Sequence, residues 1–168
     1  MPEGARRTGR QEVVRMATQV MTPYSATGHN RVREVMAKTI CTAKKSDNVE
    51  RVGRMMKDDN CGFVPVTEDG RVIGVITDRD IVMRCVSAGH TDTMRTTAGE
   101  VMSTHVISID VNDTLDRAGE LMAGHQVRRL PVVENGQLVG VLSHGNLVQA
   151  LHGGGAAQRA TVAVTQGA

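Results

Sequence analysis

The sequence contains GVITDRD at residues 74–80 and a related stretch, GVLSHGN, at residues 140–146. The two stretches lie 66 residues apart, and the same offset aligns residues 34–84 with residues 100–150 without a gap. Fourteen of the 51 aligned positions are identical, far more than unrelated segments would share. Because such an offset is typical of a duplicated structural unit, we interpret the chain as two tandem copies of one unit.

Each copy begins with the pattern of a strand and a helix. A short extended segment is predicted at residues 39–42 in the first copy and at residues 106–109 in the second. A helix with one apolar face follows in both copies, because apolar residues recur at helical spacing. The start of this helix is indicated by two pairs that resemble capping boxes: Asp47 with Glu50, and Asp113 with Asp116.

The second half of each copy has the pattern of a β-hairpin and another helix. Asp69-Gly70 and Asn135-Gly136 lie between apolar runs, and these dipeptides favour tight hairpin turns. The second helix is predicted over residues 79–87 and 145–152. Since a unit of about 50 residues buries its own sheet poorly, we predict an α+β fold. In it, two βαββα repeats related by a pseudo-twofold axis pack through their sheets.

The chain divides into four expected segments. Residues 1–30 are predicted to be a basic N-terminal segment with a short helix followed by flexible chain, and residues 153–168 a flexible tail. Repeat 1 is assigned to residues 31–90, and residues 91–152 contain the linker and repeat 2.

Composition favours a cytoplasmic protein. No apolar run reaches the roughly 18–20 residues of a membrane span, and the N-terminus lacks a signal-peptide pattern. Tyr24 and Phe63 are the only aromatic residues, so the core must consist of aliphatic residues and methionine. Residues 1–33 carry a net charge of +4 and residues 34–152 a net charge of −3. A mildly acidic folded region argues against binding to nucleic acid.

The two copies resemble a tandem pair of CBS domains, a Bateman module. The resemblance depends on the two glycine-containing stretches quoted first, and on Val64-Pro65-Val66 and Leu130-Pro131-Val132, which match the hydrophobic-Pro-Val strand of the family. It covers roughly residues 32–152. The resemblance implies a homodimer and a cleft between the repeats for AMP, ADP, ATP, NAD or S-adenosylmethionine. It implies no catalytic cofactor and no enzymatic activity.

The resemblance implies two ligand sites, each built from both repeats. Site B would contain a carboxylate for the ribose hydroxyls, a hydroxyl at a helix start and two arginines for phosphate. Its residues are Thr77, Asp80, His105, Ile107, Arg128, Arg129 and Pro131. Site A would contain Thr39, Cys41, Gly62, Phe63, Ser143 and Asn146. We expect site B to bind more tightly, because site A has an amide in place of the carboxylate and no arginine pair.

Other interpretations of these residues remain open. Thr77 with Asp80 also fits a plain helix cap, and both roles can coexist. The six histidines show no metal-ligand spacing, and no catalytic set is apparent. Cys41, Cys61 and Cys85 fit buried apolar positions, and a redox role for Cys41 with Cys61 is an alternative.

Three functions follow as hypotheses. The first is a sensor that binds an adenine nucleotide and signals to an unidentified effector protein in trans. The second is a stress-related interaction protein with degenerate ligand sites. The third, a nucleotide hydrolase or transferase, lacks the paired carboxylates or metal site that it would need.

Overall fold

The structure, a computed structural model, describes residues 31–89 and 92–152. The predicted N-terminal helix and the two flexible tails lie outside these residues. The order of helices and strands is α1 (Val32–Val35), β1 (Ala43–Lys44), α2 (Val49–Asp58), β2 (Phe63–Glu68), β3 (Arg71–Thr77), α3 (Asp78–Ile81, continued by a π-helix over Val82–Val86), α4 (Ala98–Val101), β4 (Ile109–Asp110), α5 (Leu115–His125), β5 (Arg129–Glu134), β6 (Gln137–Ser143) and α6 (His144–His152).

Each repeat contains one three-stranded sheet, in the order β1-β2-β3 and β4-β5-β6. The first strand of each sheet is parallel to the second, and the second is antiparallel to the third. Asp69-Gly70 and Asn135-Gly136 form the two hairpin turns, with positive φ at all four residues as this turn type requires. The mixed fold with two sheets confirms the predicted α+β class.

Three local predictions were wrong at the boundaries. The first strands are only two residues long. Strand β1 begins after the predicted segment 39–42, and β4 overlaps the predicted segment 106–109 only at Ile109. Helix α2 is capped by Asn48 rather than Asp47, and α5 by Thr114 rather than Asp113. The reason is that the carboxylate of Asp47 accepts a hydrogen bond from the backbone of Lys44 (2.8 Å), and that of Asp113 from Asp110 (3.2 Å). The aspartates thus close the turn before the helix instead of starting it.

The second helices begin one residue before the predicted starts, at Asp78 and His144. The N-cap of α3 is Thr77, whose hydroxyl accepts from the amide of Asp80. The first of these helices also changes to π-helical geometry over Val82–Val86, which the sequence pattern does not indicate.

A short lead-in segment before each repeat crosses to the sheet of the other repeat. The lead-in of repeat 1 comprises residues 31–37, and that of repeat 2 comprises residues 97–103. Ala37 pairs with Val141 of β6 through two hydrogen bonds (2.9 and 3.0 Å), and Ser103 pairs with Val75 of β3 in the same way (3.0 and 2.9 Å). Each sheet is therefore extended by residues from the other repeat.

The exchange extends into the two hydrophobic cores. Val32 of α1 is fully buried in the core of repeat 2, among Ile109, Leu115 and Leu142. Ala98 and Val101 of α4 are buried in the core of repeat 1. The sequence pattern did not predict α1 and α4, although the Thr97 and Glu100 side chains form a capping box that is visible in the sequence.

Candidate functional site

Two clefts lie where the sheets of the two repeats meet. Cleft B has a volume of about 670 Å³, and cleft A about 560 Å³. Both values lie in the usual range for small-molecule sites. Each cleft combines the helix start of one repeat with the loops and Pro-containing strand of the other. This arrangement follows from the pseudo-twofold packing of β3 against β6 and the crossing of the lead-in segments.

Cleft B brings together every residue predicted for site B. The lining includes Thr77, Asp80, His105, Ile107, Arg128, Arg129 and Pro131. Sequence reasoning did not include further lining residues, among them Asp78, Arg79, Ser103 and Val127. Asp78 and Arg79 lie between Thr77 and Asp80 in the GVITDRD stretch. Their position at the start of the second helix is the sequence feature that could have identified them as lining residues.

The carboxylate of Asp80 is held in a defined position. Its Oδ2 accepts from the backbone N–H (2.8 Å) and the hydroxyl (2.7 Å) of Thr77. Its Oδ1 lies 3.3 Å from a guanidinium nitrogen of Arg84 and 3.5 Å from the hydroxyl of Ser103. Asp80 is only 14% exposed. One carboxylate oxygen therefore caps the helix, while the other faces Arg84 and Ser103, of which Ser103 lines the cleft.

The cationic side of cleft B is formed mainly by arginines. Arg79, Arg128 and Arg129 line it together with His105. The backbone carbonyl of Arg128 accepts from the amide of His144 (2.8 Å), which fixes the loop before β5 against the start of α6. Asp78 adds one negative charge to this side, and its carboxylate accepts from the amide of Arg79 (2.8 Å).

Cleft A contains five of the six residues predicted for site A. These are Thr39, Cys41, Phe63, Ser143 and Asn146. The sixth, Gly62, lines cleft B instead. It lies beside Asp78, since a Cβ on Gly62 would be 3.1 Å from Oδ2 of that side chain. Arg129 lines both clefts, so cleft A has an arginine that sequence reasoning assigned to site B alone.

The helix start at cleft A repeats the geometry of cleft B with a neutral side chain. Oδ1 of Asn146 accepts from the backbone N–H (3.2 Å) and the hydroxyl of Ser143. The amide of Asn146 donates to the Ser143 hydroxyl (3.1 Å). Since Oδ1 serves the cap, Asn146 offers an NH₂ donor where Asp80 offers a second carboxylate oxygen.

Two thiols line the opposite side of cleft A. The Sγ atoms of Cys41 and Cys61 are 3.3 Å apart. Burial, and then the hydrogen bond with Cys61, raise the pKa of Cys41 to about 12. The nearby carboxylate of Asp59 acts in the same direction, because a second negative charge there is unfavourable.

Within residues 31–89 and 92–152, no group of three His, Cys, Asp or Glu side chains is arranged to hold a metal ion. No helix in the same part of the chain has both the length and the apolar character of a membrane span.

The architecture and the two clefts define a module of paired, interlocked α+β repeats. Residues 32–87 and 98–153 each match the CBS domain family. The CBS domain-containing protein YhcV of Bacillus subtilis (strain 168) is 38% identical over 116 residues, which cover 69% of this chain and 81% of that protein. The chain therefore belongs to the CBS domain family, as a CBS-domain pair, and such pairs are generally regulatory modules rather than enzymes.

Two solved structures show the same fold. The structure of Hypoxic Response Protein I with two coordinated zinc ions has a TM-score of 0.67 at 29% identity, covering 72% of this chain and 98% of that chain. The structure of CBSX2 in complex with AMP has a TM-score of 0.64 at 25% identity, covering 73% of this chain and 96% of that chain. Both resemble this chain over its two repeats.

Proposed function

We propose that this CBS pair is a non-enzymatic sensor that binds an adenosyl ligand in cleft B and signals to a partner protein in trans. The ligand class is AMP, ADP or ATP, with NAD and S-adenosylmethionine as further members to be tested. The observation that carries the proposal is the meeting of all seven predicted site B residues in one cleft. The complex of CBSX2 with AMP supports the ligand class.

The ribose would bind to Asp80. A carboxylate oxygen accepts hydrogen bonds from two vicinal hydroxyls, and Oδ1 lies on the side of Asp80 that does not cap the helix. Its present neighbours, Arg84 and Ser103, are weak or long contacts at 3.3 and 3.5 Å. A ribose could therefore replace them while the cap to Thr77 stays intact.

Phosphate would bind on the arginine side of the same cleft. Arg79, Arg128 and Arg129 supply positive charge, and guanidinium groups bind phosphate oxygens in a bidentate manner. The charge of the arginines predicts a preference for phosphorylated ligands over adenosine.

The adenine ring would lie in the apolar part of cleft B. Val106, Ile107, Val127 and Pro131 line this part, and a flat apolar slot accepts adenine without an aromatic side chain. The base edge would then pair with backbone groups of the extended segment at residues 106–109, as the family resemblance implies.

The test is isothermal titration of the purified chain with AMP, ADP, ATP, NAD and S-adenosylmethionine, repeated on Asp80→Asn. Asn146 shows that an Asn at this position keeps the helix cap, so the variant removes charge without removing the cap. A charged hydrogen bond contributes about 1.5–3 kcal/mol, so we expect binding to weaken at least about tenfold. Equal affinity in both proteins would contradict the assigned role of Asp80.

The alternative is an interaction protein whose ligand sites are degenerate. Asn146 in cleft A favours it, because the carboxylate for ribose is missing there. The absence of heat with all five ligands would support this alternative and overturn the sensor. A hydrolase is distinguished by incubation with ATP, where we expect no release of phosphate.

The proposal includes a homodimer and a cytoplasmic location. Val82, Met83 and Val86 on the π-helix are 52%, 59% and 63% exposed, and such an apolar face is typical of an interface. Sedimentation of the chain and of Met83→Glu would test the dimer, which we expect the charged substitution to dissociate. A monomeric wild-type chain would overturn this part of the proposal alone.

A further inference from the structure

The cysteine pair is a feature of cleft A that the sensor proposal does not use. Cys41 lies in the loop between α1 and β1, and Cys61 lies between α2 and β2. Their Sγ atoms are in contact at 3.3 Å, and both residues are partly exposed at the cleft. The third cysteine, Cys85, is fully buried in the core of repeat 1.

The repeat supplies an internal comparison for this pair. At the offset of 66 residues, Cys41 corresponds to Ile107 and Cys61 to Val127. Ile107 and Val127 line cleft B just as the two cysteines line cleft A. Apolar side chains therefore satisfy the fold at these positions, and the fold itself does not require thiols. The thiols are a property of cleft A.

The two sulfurs already lie close enough to bond after a small movement. With its pKa raised to about 12 by burial and by the hydrogen bond with Cys61, Cys41 keeps its proton at neutral pH. Either sulfur can donate in the contact between them. A disulfide needs the sulfurs at about 2.05 Å, so only a small approach of two loops is required.

We propose that Cys41 and Cys61 form a reversible intramolecular disulfide, and that this bond controls ligand access to cleft A but not to cleft B. The oxidant is a peroxide. One of the two sulfurs gives up its proton and attacks one peroxide oxygen, an S–O bond forms, the O–O bond breaks, and the leaving hydroxide takes that proton to become water. The other sulfur then attacks the oxidised sulfur, the S–O bond breaks, and the proton of the second thiol leaves with the second water. Two thiols lose two electrons in total, and the peroxide is reduced.

The control of access follows from the position of Cys41. It lies in the segment that, by analogy with Ile107 in cleft B, faces the base of a ligand. Formation of the bond draws this segment toward Cys61, and it replaces two thiols in the wall of cleft A by a rigid disulfide that has no S–H donor for a ligand. This second part of the inference rests on the proposed function, whereas formation of the disulfide does not.

The first experiment measures the disulfide without any ligand. The reduced chain is treated with hydrogen peroxide, its remaining thiols are alkylated, and its mass and peptides are determined. Apart from any alkyl group on Cys85, we expect the oxidised chain to be lighter than the reduced chain by two hydrogen atoms. We also expect a cross-linked peptide that contains Cys41 and Cys61, and recovery of both thiols after treatment with dithiothreitol. Alkylation of all three cysteines, or cross-links only between chains, would overturn the proposal.

Variants taken from the other repeat serve as controls. Cys41→Ile with Cys61→Val gives cleft A the residues of cleft B, and we expect the oxidised and reduced forms of this variant to have the same mass. Ile107→Cys with Val127→Cys, made in that background, places the pair in cleft B. A cross-linked 107–127 peptide is expected there, because the two clefts share one backbone frame. Its absence in a folded variant would mean that proximity in this frame is insufficient, and would count against the proposal.

The second experiment measures access to cleft A. AMP is titrated into the Asp80→Asn chain, whose cleft B is weakened, in its reduced and oxidised forms. We expect oxidation to weaken the remaining binding several-fold, and the Cys41→Ile, Cys61→Val variant to show no such change. Unchanged affinity would overturn the control of cleft A. If none of the five ligands of the first titration binds either wild-type form, the sensor proposal fails, while the mass measurement still decides whether the disulfide forms.

Discussion

Cleft A and cleft B share a backbone plan and differ in the side chains that a ligand would meet. Both have a hydroxyl residue and an Asp or Asn that cap the second helix in the same geometry. Cleft B carries the carboxylate of Asp80 and the guanidinium of Arg128, whereas cleft A carries Asn146 and two thiols. The capping interaction, which both copies retain, therefore serves the fold. The charges that differ are then the better candidates for ligand recognition.

The largest effect is expected from glycines at equivalent positions of the two sheets. A Cβ at Gly140 would lie 2.7 Å from the backbone oxygen of Ala37, which cannot move without breaking its pairing with β6. At Gly74 the nearest atoms all belong to the flexible side chain of Met102. We expect Gly140→Ala to destabilise the chain by about 1–3 kcal/mol and Gly74→Ala by clearly less. Urea unfolding measures both, and equal losses would show that the two sheet contacts are equally adaptable.

The next effect concerns the charge at cleft A. Asn146→Asp gives cleft A the carboxylate of cleft B while the contacts to Ser143 stay available. We expect AMP to bind cleft A up to about tenfold more tightly, since one charged hydrogen bond is gained. The gain is measured in the Asp80→Asn background, in which the contribution of cleft B is reduced at least about tenfold. No gain would mean that the charge at this position is not what distinguishes the two clefts.

A smaller effect is expected at the phosphate side of cleft B. Arg128→Gln keeps the Cβ, Cγ and Cδ atoms and an N–H donor, but it shortens the side chain and removes its charge. We expect AMP binding to weaken about two- to fivefold, because exposed charge pairs contribute about 0.2–1 kcal/mol, and adenosine binding to stay unchanged. Arg117→Gln is a matched control, as Arg117 pairs with Glu120 on α5 and does not line cleft B. A similar loss for adenosine would move Arg128 from phosphate recognition to packing.

The last expected effect appears only at alkaline pH, and it arises from Cys41 in repeat 1. Because the pKa of Cys41 is raised from 9.0 to about 12, the unfolded chain loses this proton in that window while the folded chain keeps it. Stability therefore falls as the pH rises above 9.0. We expect Cys41→Ile, measured by urea unfolding under reducing conditions, to show a shallower fall. If the free energy of unfolding falls with pH at the same slope in both chains, then Cys61, Asp59 and burial do not hinder the ionisation of Cys41 in the folded chain.

The sequence predicted those parts of the fold that depend on local chemistry. Asp69-Gly70 and Asn135-Gly136 specify their turns, since few other residues accept positive φ there. The start of α2 was misplaced by one residue, because Asp47 and Asn48 are both good caps and a contact to Lys44 decides between them. The crossing of the lead-in segments is a tertiary effect. Nothing local to Val32 indicates that it is buried in repeat 2.

The candidate site was predictable to a similar depth. The family resemblance placed seven residues that the fold brings together in cleft B. The resemblance did not predict which cleft the residues near the start of each hairpin line. Gly62 was assigned to site A alone, and Arg129 to site B alone. Arg129 at the first position of β5 in fact lines both clefts, and Gly62 faces Asp78. Such sharing depends on how two sheets meet, which the sequence pattern of one repeat does not contain.

The crossed lead-in segments have a consequence for the integrity of the chain. A protease that cuts between Val86 and Thr97 would leave one fragment holding α1, which completes the core of repeat 2, and another holding α4, which completes the core of repeat 1. The two fragments would remain associated without a covalent link, since neither has a complete hydrophobic core alone. By the same reasoning, a polypeptide with only one repeat would complete its core by dimerising, with each copy inserting its first helix into the core of the other.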